Sequence, residues 1–277
     1  MKKYQQLRKM HYKEQDIKIA SLIGAFDMHD WAKYPYSCFK MRFNTELSVI
    51  ITFISQYTPI TPNFLTFMFA FLGLLSGIFL ASDINILIFI SLLMQFSKGA
   101  FDWADGLLAR IKKRTSELGD LLDHYAAQVG IYSFLCGFGI YLYNETDQEH
   151  FVILAILIVL IKALDLKNYA YELSMYKFLH SQKKRKLIKK INYGKKNINN
   201  KYGVSKNLVL FKNFFQNFLD DRSRTVDLIC MLIFIDTFYI NITLLNYIYY
   251  GIFFRTLVLY CGGFYIIYFK NFSNKIK

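Results

Sequence analysis

Residues 62–82 read PNFLTFMFAFLGLLSGIFLAS, and none of them carries a charge. A helix that crosses the roughly 30 Å hydrocarbon core of a bilayer needs about 20 mostly apolar residues, so this run alone predicts a transmembrane helix. Further helices of the same kind are expected near 84–111, 117–142, 151–178, 225–241 and 246–269. Composition agrees: 54% of the 277 residues are hydrophobic and 19% are charged, too little polar surface for a water-soluble fold. The expected fold class is an all-α integral membrane protein with six transmembrane helices and an N-terminal cytoplasmic or interfacial segment.

The formal charge of +14 is compatible with nucleic-acid binding in magnitude but not in placement. Basic residues crowd the N-terminal region, the turn Lys112, Lys113 and Arg114, the loop after residue 180, and the tail from Lys270 to Lys277. The connections SDIN at 82–85, YNETDQEH at 143–150 and NITLLN at 241–246 contain no Lys or Arg. With six spans, every basic connection falls on one face, which the positive-inside rule assigns to the cytoplasm together with both termini. The charge then reads as topology and attraction to anionic membrane lipids, and no nucleic-acid partner is expected. Cys38, Cys136, Cys230 and Cys261 are scattered without metal or disulfide spacing and read as small buried apolar residues. The N-terminus is polar and basic, without the apolar core of a signal peptide.

Three regions follow. Residues 1–46 form a cytoplasmic N-terminal region, 47–270 a six-helix membrane domain, and 271–277 a basic tail. Within the domain, LSVIITFISQY at 47–57 is apolar but too short to span, so an interfacial helix is expected. Thr61 before Pro62 is a candidate N-cap, and Gly73 with Gly77 allows close helix packing. The loop 181–222 is rich in Lys and Asn and reads as a solvated connection or as a polybasic arm for anionic lipid.

The chemistry concentrates in DWADGLLARIKKRTSELGDLLDHYAAQ, 102–128. Residues three, four and seven apart share a helix face. Asp102, Asp105, Gly106 and Ala109 therefore make a stripe of two carboxylates beside two nearly bare positions. Gly119 and Asp123 share a face of the next helix, and the short turn makes the two helices antiparallel neighbours. Carboxylates gathered near a bilayer repel one another unless neutralised, and all-oxygen ligation suits Mg²⁺ or Mn²⁺ with positions left for phosphate oxygens. The stretch thus reads as a metal cage for a phosphate-bearing substrate, with Arg110 as a bidentate phosphate donor. Interfacial salt bridges to Lys98, Arg110 and the turn lysines are the alternative, which leaves the matched Gly and Ala unexplained.

DWADGLLAR, eight further residues and GDLLD resemble the signature of the CDP-alcohol phosphotransferases, D-x2-D-G-x2-A-R-x8-G-x3-D-x3-D. Asp102, Asp105, Gly106, Ala109, Arg110, Gly119 and Asp123 match in type and spacing, and PNFLT at 62–66 is similar to the family's P-N-x-x-T. The resemblance implies a six-helix membrane enzyme, usually a homodimer. Such an enzyme uses a divalent metal to pass the phosphoryl-alcohol group of a CDP-alcohol donor to an acceptor hydroxyl, which can itself belong to a lipid, and releases CMP. It further implies that Asp102, Asp105 and Asp123 hold metal, that Gly106 and Ala109 make room for the cytidine nucleotide, and that Arg110, Gly119, Asn63 and Thr66 line the site.

The family's fourth aspartate, taken as the general base, falls on Ala127. A base contributes roughly 10²- to 10⁴-fold, so positioning and metal electrostatics can sustain turnover without it. Asp120, three residues before Asp123, and His124, rotated by about 100°, are the nearby stand-ins. A family member that binds nucleotide or lipid as a scaffold or partner subunit is the competing expectation.

Overall fold

The computed structural model describes residues 3–21, 31–32, 35–114, 116–164, 223–240 and 243–269, with 16–21, 117, 118, 120, 223, 224 and 263–269 described by backbone alone. Every regular element among them is a helix: α1 (Tyr4–Ser21), α2 (Pro35–Ser55), α3 (Pro62–Leu80), α4 (Asn85–Ser97), α5 (Gly99–Ile111), α6 (Glu117–Thr146), α7 (His150–Ala163), α8 (Ser223–Phe238) and α9 (Leu244–Phe269). The chain divides into two compact units, Met1–Ala155 with Val226–Ile242, and Ile156–Thr225 with Thr243–Lys277.

Four helices among the described residues are long and apolar enough to cross a membrane: Pro62–Leu80, Asn85–Ile111, Leu121–Thr146 and Leu244–Gly262. The helix expected at 151–178 is described as far as Ala163, and its later part lies outside the described residues. The helix expected at 225–241 is α8, with 16 residues. On α3, Phe64, Phe67, Phe71, Leu74 and Ile78 form an exposed stripe at helical spacing, an apolar face that suits lipid.

Helix α2 is longer than the interfacial helix expected at 47–57, because its first turns are polar. Its buried face carries Lys40, Asn44, Thr45, Ser48, Thr52 and Ser55, while Phe39, Ile50 and Ile54 point outward. This arrangement inverts a water-soluble amphipathic helix and fits a helix lying against acyl chains. Lys40 Nζ donates to Phe96 O at 2.7 Å and to Asp227 Oδ1 at 3.2 Å, and Tyr36 also donates to Asp227. The Phe96 carbonyl lies just before the break between α4 and α5, so a side chain inserted at the backbone accompanies the interruption of an otherwise continuous span. Asp227 is thus engaged with Lys40 and Tyr36.

The α3–α6 pair is the closest packing in the first unit. A Cβ on Gly77 would overlap Ser133, one on Gly137 would overlap the Gly77 backbone, and one on Gly73 would stand 2.8 Å from Gly130 Cα. Ser133 Oγ donates to Leu74 O at 2.8 Å across the same seam. Small residues thus bring the backbones together, as the G-x-x-x-G spacing allows. Helix α5 wedges between α2 and α3: Leu107 packs with Leu7 and Val49, while Ala104 and Leu108 pack with Leu65. These positions take the face opposite Asp102, Asp105, Gly106 and Ala109, so apolar packing fixes which way the carboxylate stripe points.

Candidate active site

The turn between α5 and α6 sets the site. Lys113 adopts φ 53°, the left-handed conformation usually supplied by glycine at a helix C-terminus. The N–H of Arg114 reaches Ala109 O at 2.9 Å and that of Lys113 reaches Arg110 O at 3.4 Å, the paired bonds of a Schellman cap. Lys112 Nζ donates to Thr58 O at 2.9 Å and Ile60 O at 2.7 Å, tying the turn to the loop before α3. The turn lysine therefore caps backbone. Ser116 then caps α6, its Oγ accepting from Gly119 N–H at 3.0 Å. On α3, Thr61 accepts from Phe64 N–H at 3.3 Å, as its place before Pro62 predicts.

These devices open a cavity of about 330 Å³. Asp102 and Asp105 enter it from α5 and Asp123 from α6. Gly106, Ala109 and Gly119 line it with almost no side chain, and Asn63, Thr66 and Arg110 complete the set expected from sequence. Thr66 Oγ1 donates to Asp105 Oδ2 at 2.5 Å, so the threonine of PNFLT orients a carboxylate that is 9% exposed. Asp105 also lies within Coulombic reach of Asp123 and Arg110. The bare position at Gly119 faces Asn63: a Cβ there would stand 3.7 Å from Asn63 Oδ1. His124 is exposed and does not line the cavity, and Ala127 is half-buried and outside its lining. Asp120 lies on α6, and its side chain falls outside those described.

Residues that sequence reasoning passed over also line the cavity. Trp103, Arg114 and Ser116 belong to the same two helices and their turn, and Gln15 comes from α1. Arg110 Nη2 pairs with Glu14 Oε2 at 2.8 Å, so the partner of the signature arginine is a residue of the N-terminal helix. An N-cap pattern marks Ser116 in the sequence. Nothing local marks Gln15 or Glu14, whose place depends on how α1 packs.

Among the described residues, no three His, Cys, Asp or Glu side chains cluster as a ready metal site. The donor set fits a hard divalent cation by type, since three carboxylates and no softer ligand face one cavity.

Residues 59–192 match the family model described as CDP-alcohol phosphatidyltransferase. Over this stretch, just under half of the chain, the sequence is similar to that family. Both signature segments, 62–66 and 102–123, fall inside the match, and the carboxylate-lined cavity is built largely from it. That family is one of transferases of lipid biosynthesis, with a CDP-alcohol donor and an alcohol acceptor. No curated protein matches the chain.

Proposed function

We propose that this domain transfers the phosphoryl-alcohol group of a CDP-alcohol, such as CDP-diacylglycerol, to an acceptor hydroxyl and releases CMP. The observation that carries this reading is that Asp102, Asp105 and Asp123 line one cavity with Asn63, Thr66 and Arg110. The acceptor oxygen forms a bond to the phosphorus bearing the alcohol. The bond from that phosphorus to the bridging oxygen breaks, and its electron pair leaves on the CMP phosphate. Arg110 and the N-terminus of α6 present positive charge to the phosphates. Asp123, which faces the cavity one turn before Ala127, can take the hydroxyl proton. Asp120 and His124 are secondary stand-ins. Mg²⁺ or Mn²⁺ held by Asp102, Asp105 and Asp123 would neutralise phosphate charge. The small residues Gly106 and Ala109 leave room for the nucleotide, and Thr66 keeps Asp105 aimed into the cavity.

The protein would be multi-pass with six spans among membrane lipids, with termini and site on the cytoplasmic side, as the distribution of Lys and Arg suggests, and a homodimer, as the resemblance to the family implies. A second reading, a nucleotide- or lipid-binding partner subunit without turnover, is favoured by Ala127 alone. Purified protein with Mn²⁺ and a panel of CDP-alcohols and acceptors decides between them. CMP release that Asp123→Asn abolishes is expected; nucleotide binding without CMP release from any pair would favour the partner subunit.

A further inference from the structure

Helix α1 lies outside the family match, yet it reaches the cavity. Leu7 anchors it in the cluster with Val49 and Leu107, and Arg8 Nε bonds Glu46 Oε1 at 2.7 Å. Two turns later Gln15 lines the cavity while only 5% exposed. Among the described residues its carboxamide has no hydrogen-bond partner. The amide is not one of the fully enclosed unpaired groups among the described residues, so a polar ligand in the cavity can reach it.

The surroundings specify what kind of ligand. Trp103 lines the same cavity, its ring packed edge-on against His11 with centroids 6.0 Å apart. The His11 ring is held in turn by Ser48 Oγ at 3.0 Å from Nε2. Asn63 offers a second carboxamide from α3. An aromatic ring beside carboxamides suits a flat heterocycle with donors and acceptors on its edge. Arg110 and Arg114 on the cavity wall suit the phosphates attached to it.

We propose that α1 is part of the nucleotide site and that Gln15 hydrogen-bonds the edge of the cytosine base of the CDP-alcohol. The proposal rests on the donor assigned above. In the matching geometry Oε1 accepts from the exocyclic amino group and Nε2 donates to the ring nitrogen. Glu14, through Arg110, makes the same helix responsible for positioning the phosphate contact.

The test measures binding, with turnover blocked by omitting acceptor. CMP and ribose 5-phosphate, which lacks the base, are titrated into the full-length protein in detergent with Mn²⁺. Three variants are compared: Gln15→Ala, the near-isosteric Gln15→Met, and Gln15→Glu, which keeps the acceptor and sets a second acceptor opposite the ring nitrogen. Thermal melting selects the variants that remain folded. Gln15→Met is expected to weaken CMP about tenfold, the loss of one or two neutral hydrogen bonds, and to leave ribose 5-phosphate unchanged; Gln15→Glu, with two acceptors opposed, should weaken CMP at least as much. Equal CMP affinity in wild type and Gln15→Met overturns this proposal and leaves the transferase reading standing. A wild type that binds no cytidine nucleotide overturns both, and equal weakening of both ligands would assign Gln15 to cavity shape and overturn base recognition.

Discussion

Asp105 and Thr66 show what a signature specifies at the scale of residues. They are 39 positions apart, yet a 2.5 Å hydrogen bond joins them, and the sequence indicates both because each belongs to a short motif of fixed spacing. Gly106 and Ala109 were equally legible, since their smallness has meaning only beside a ligand. Gln15 and Glu14 were not: each is an ordinary polar residue of a charged helix until tertiary packing turns it toward the cavity. Ala127 carries the prediction that belongs here. It is half-buried on the helix that bears Asp123, one turn further on. If the missing base limits the rate, Ala127→Asp raises CMP release about tenfold or more with nucleotide affinity little changed. A folded variant with no gain would place the proton on another group.

At the scale of elements, hydropathy located α3 and the α4–α5 span to within a few residues, because bilayer thickness fixes how long an apolar helix must be. It missed the first half of α2, where the buried face is polar, and the break near Lys98, where Lys40 reaches the Phe96 carbonyl from another helix. The clamp between α1 and α2 was hidden for the same reason. Glu46 accepts from Arg8 and from Tyr12 Oη at 2.8 Å, and the Arg8 hydrogen bond holds its carboxyl below the ordinary value of 4.5. A depressed carboxyl contributes stability that is present above the unfolded pKa and is lost as pH falls through the folded one. The pair is partly exposed, so its worth is about 1 kcal/mol or less. Acidification from about pH 7 to about pH 3 should therefore loosen α1 partially. Trp103, packed on His11 of α1, reports this through its emission in a Trp31→Phe background. Glu46→Gln should show the loosened emission already at neutral pH. Emission that is the same in both proteins across the range would remove Glu46 from the attachment of α1.

For the whole molecule, topology is the property that sequence charge addresses and helix geometry alone does not. The described helices include four long enough to span, at 62–80, 85–111, 121–146 and 244–262. Four spans and six spans place the same side of the membrane at the Lys112–Arg114 turn relative to Asp83 and Asp147, but they differ for the basic stretch 181–222. With four spans that stretch shares the side of Asp147; with six it shares the side of the turn. A basic segment on the outer face would contradict the positive-inside distribution, so six spans are expected. Single cysteines at Asp83, Lys113, Asp147 and Gly203, in a background without the four native ones, test this with an impermeant maleimide on intact cells. Positions 83 and 147 should label from outside, while 113 and 203 label only after permeabilisation. Labelling of 203 with 147 would leave four spans. Labelling of 113 from outside would put the carboxylate cavity on the outer face, away from the cytoplasmic pool of cytidine nucleotides, and would count against the transferase assignment as well as the topology.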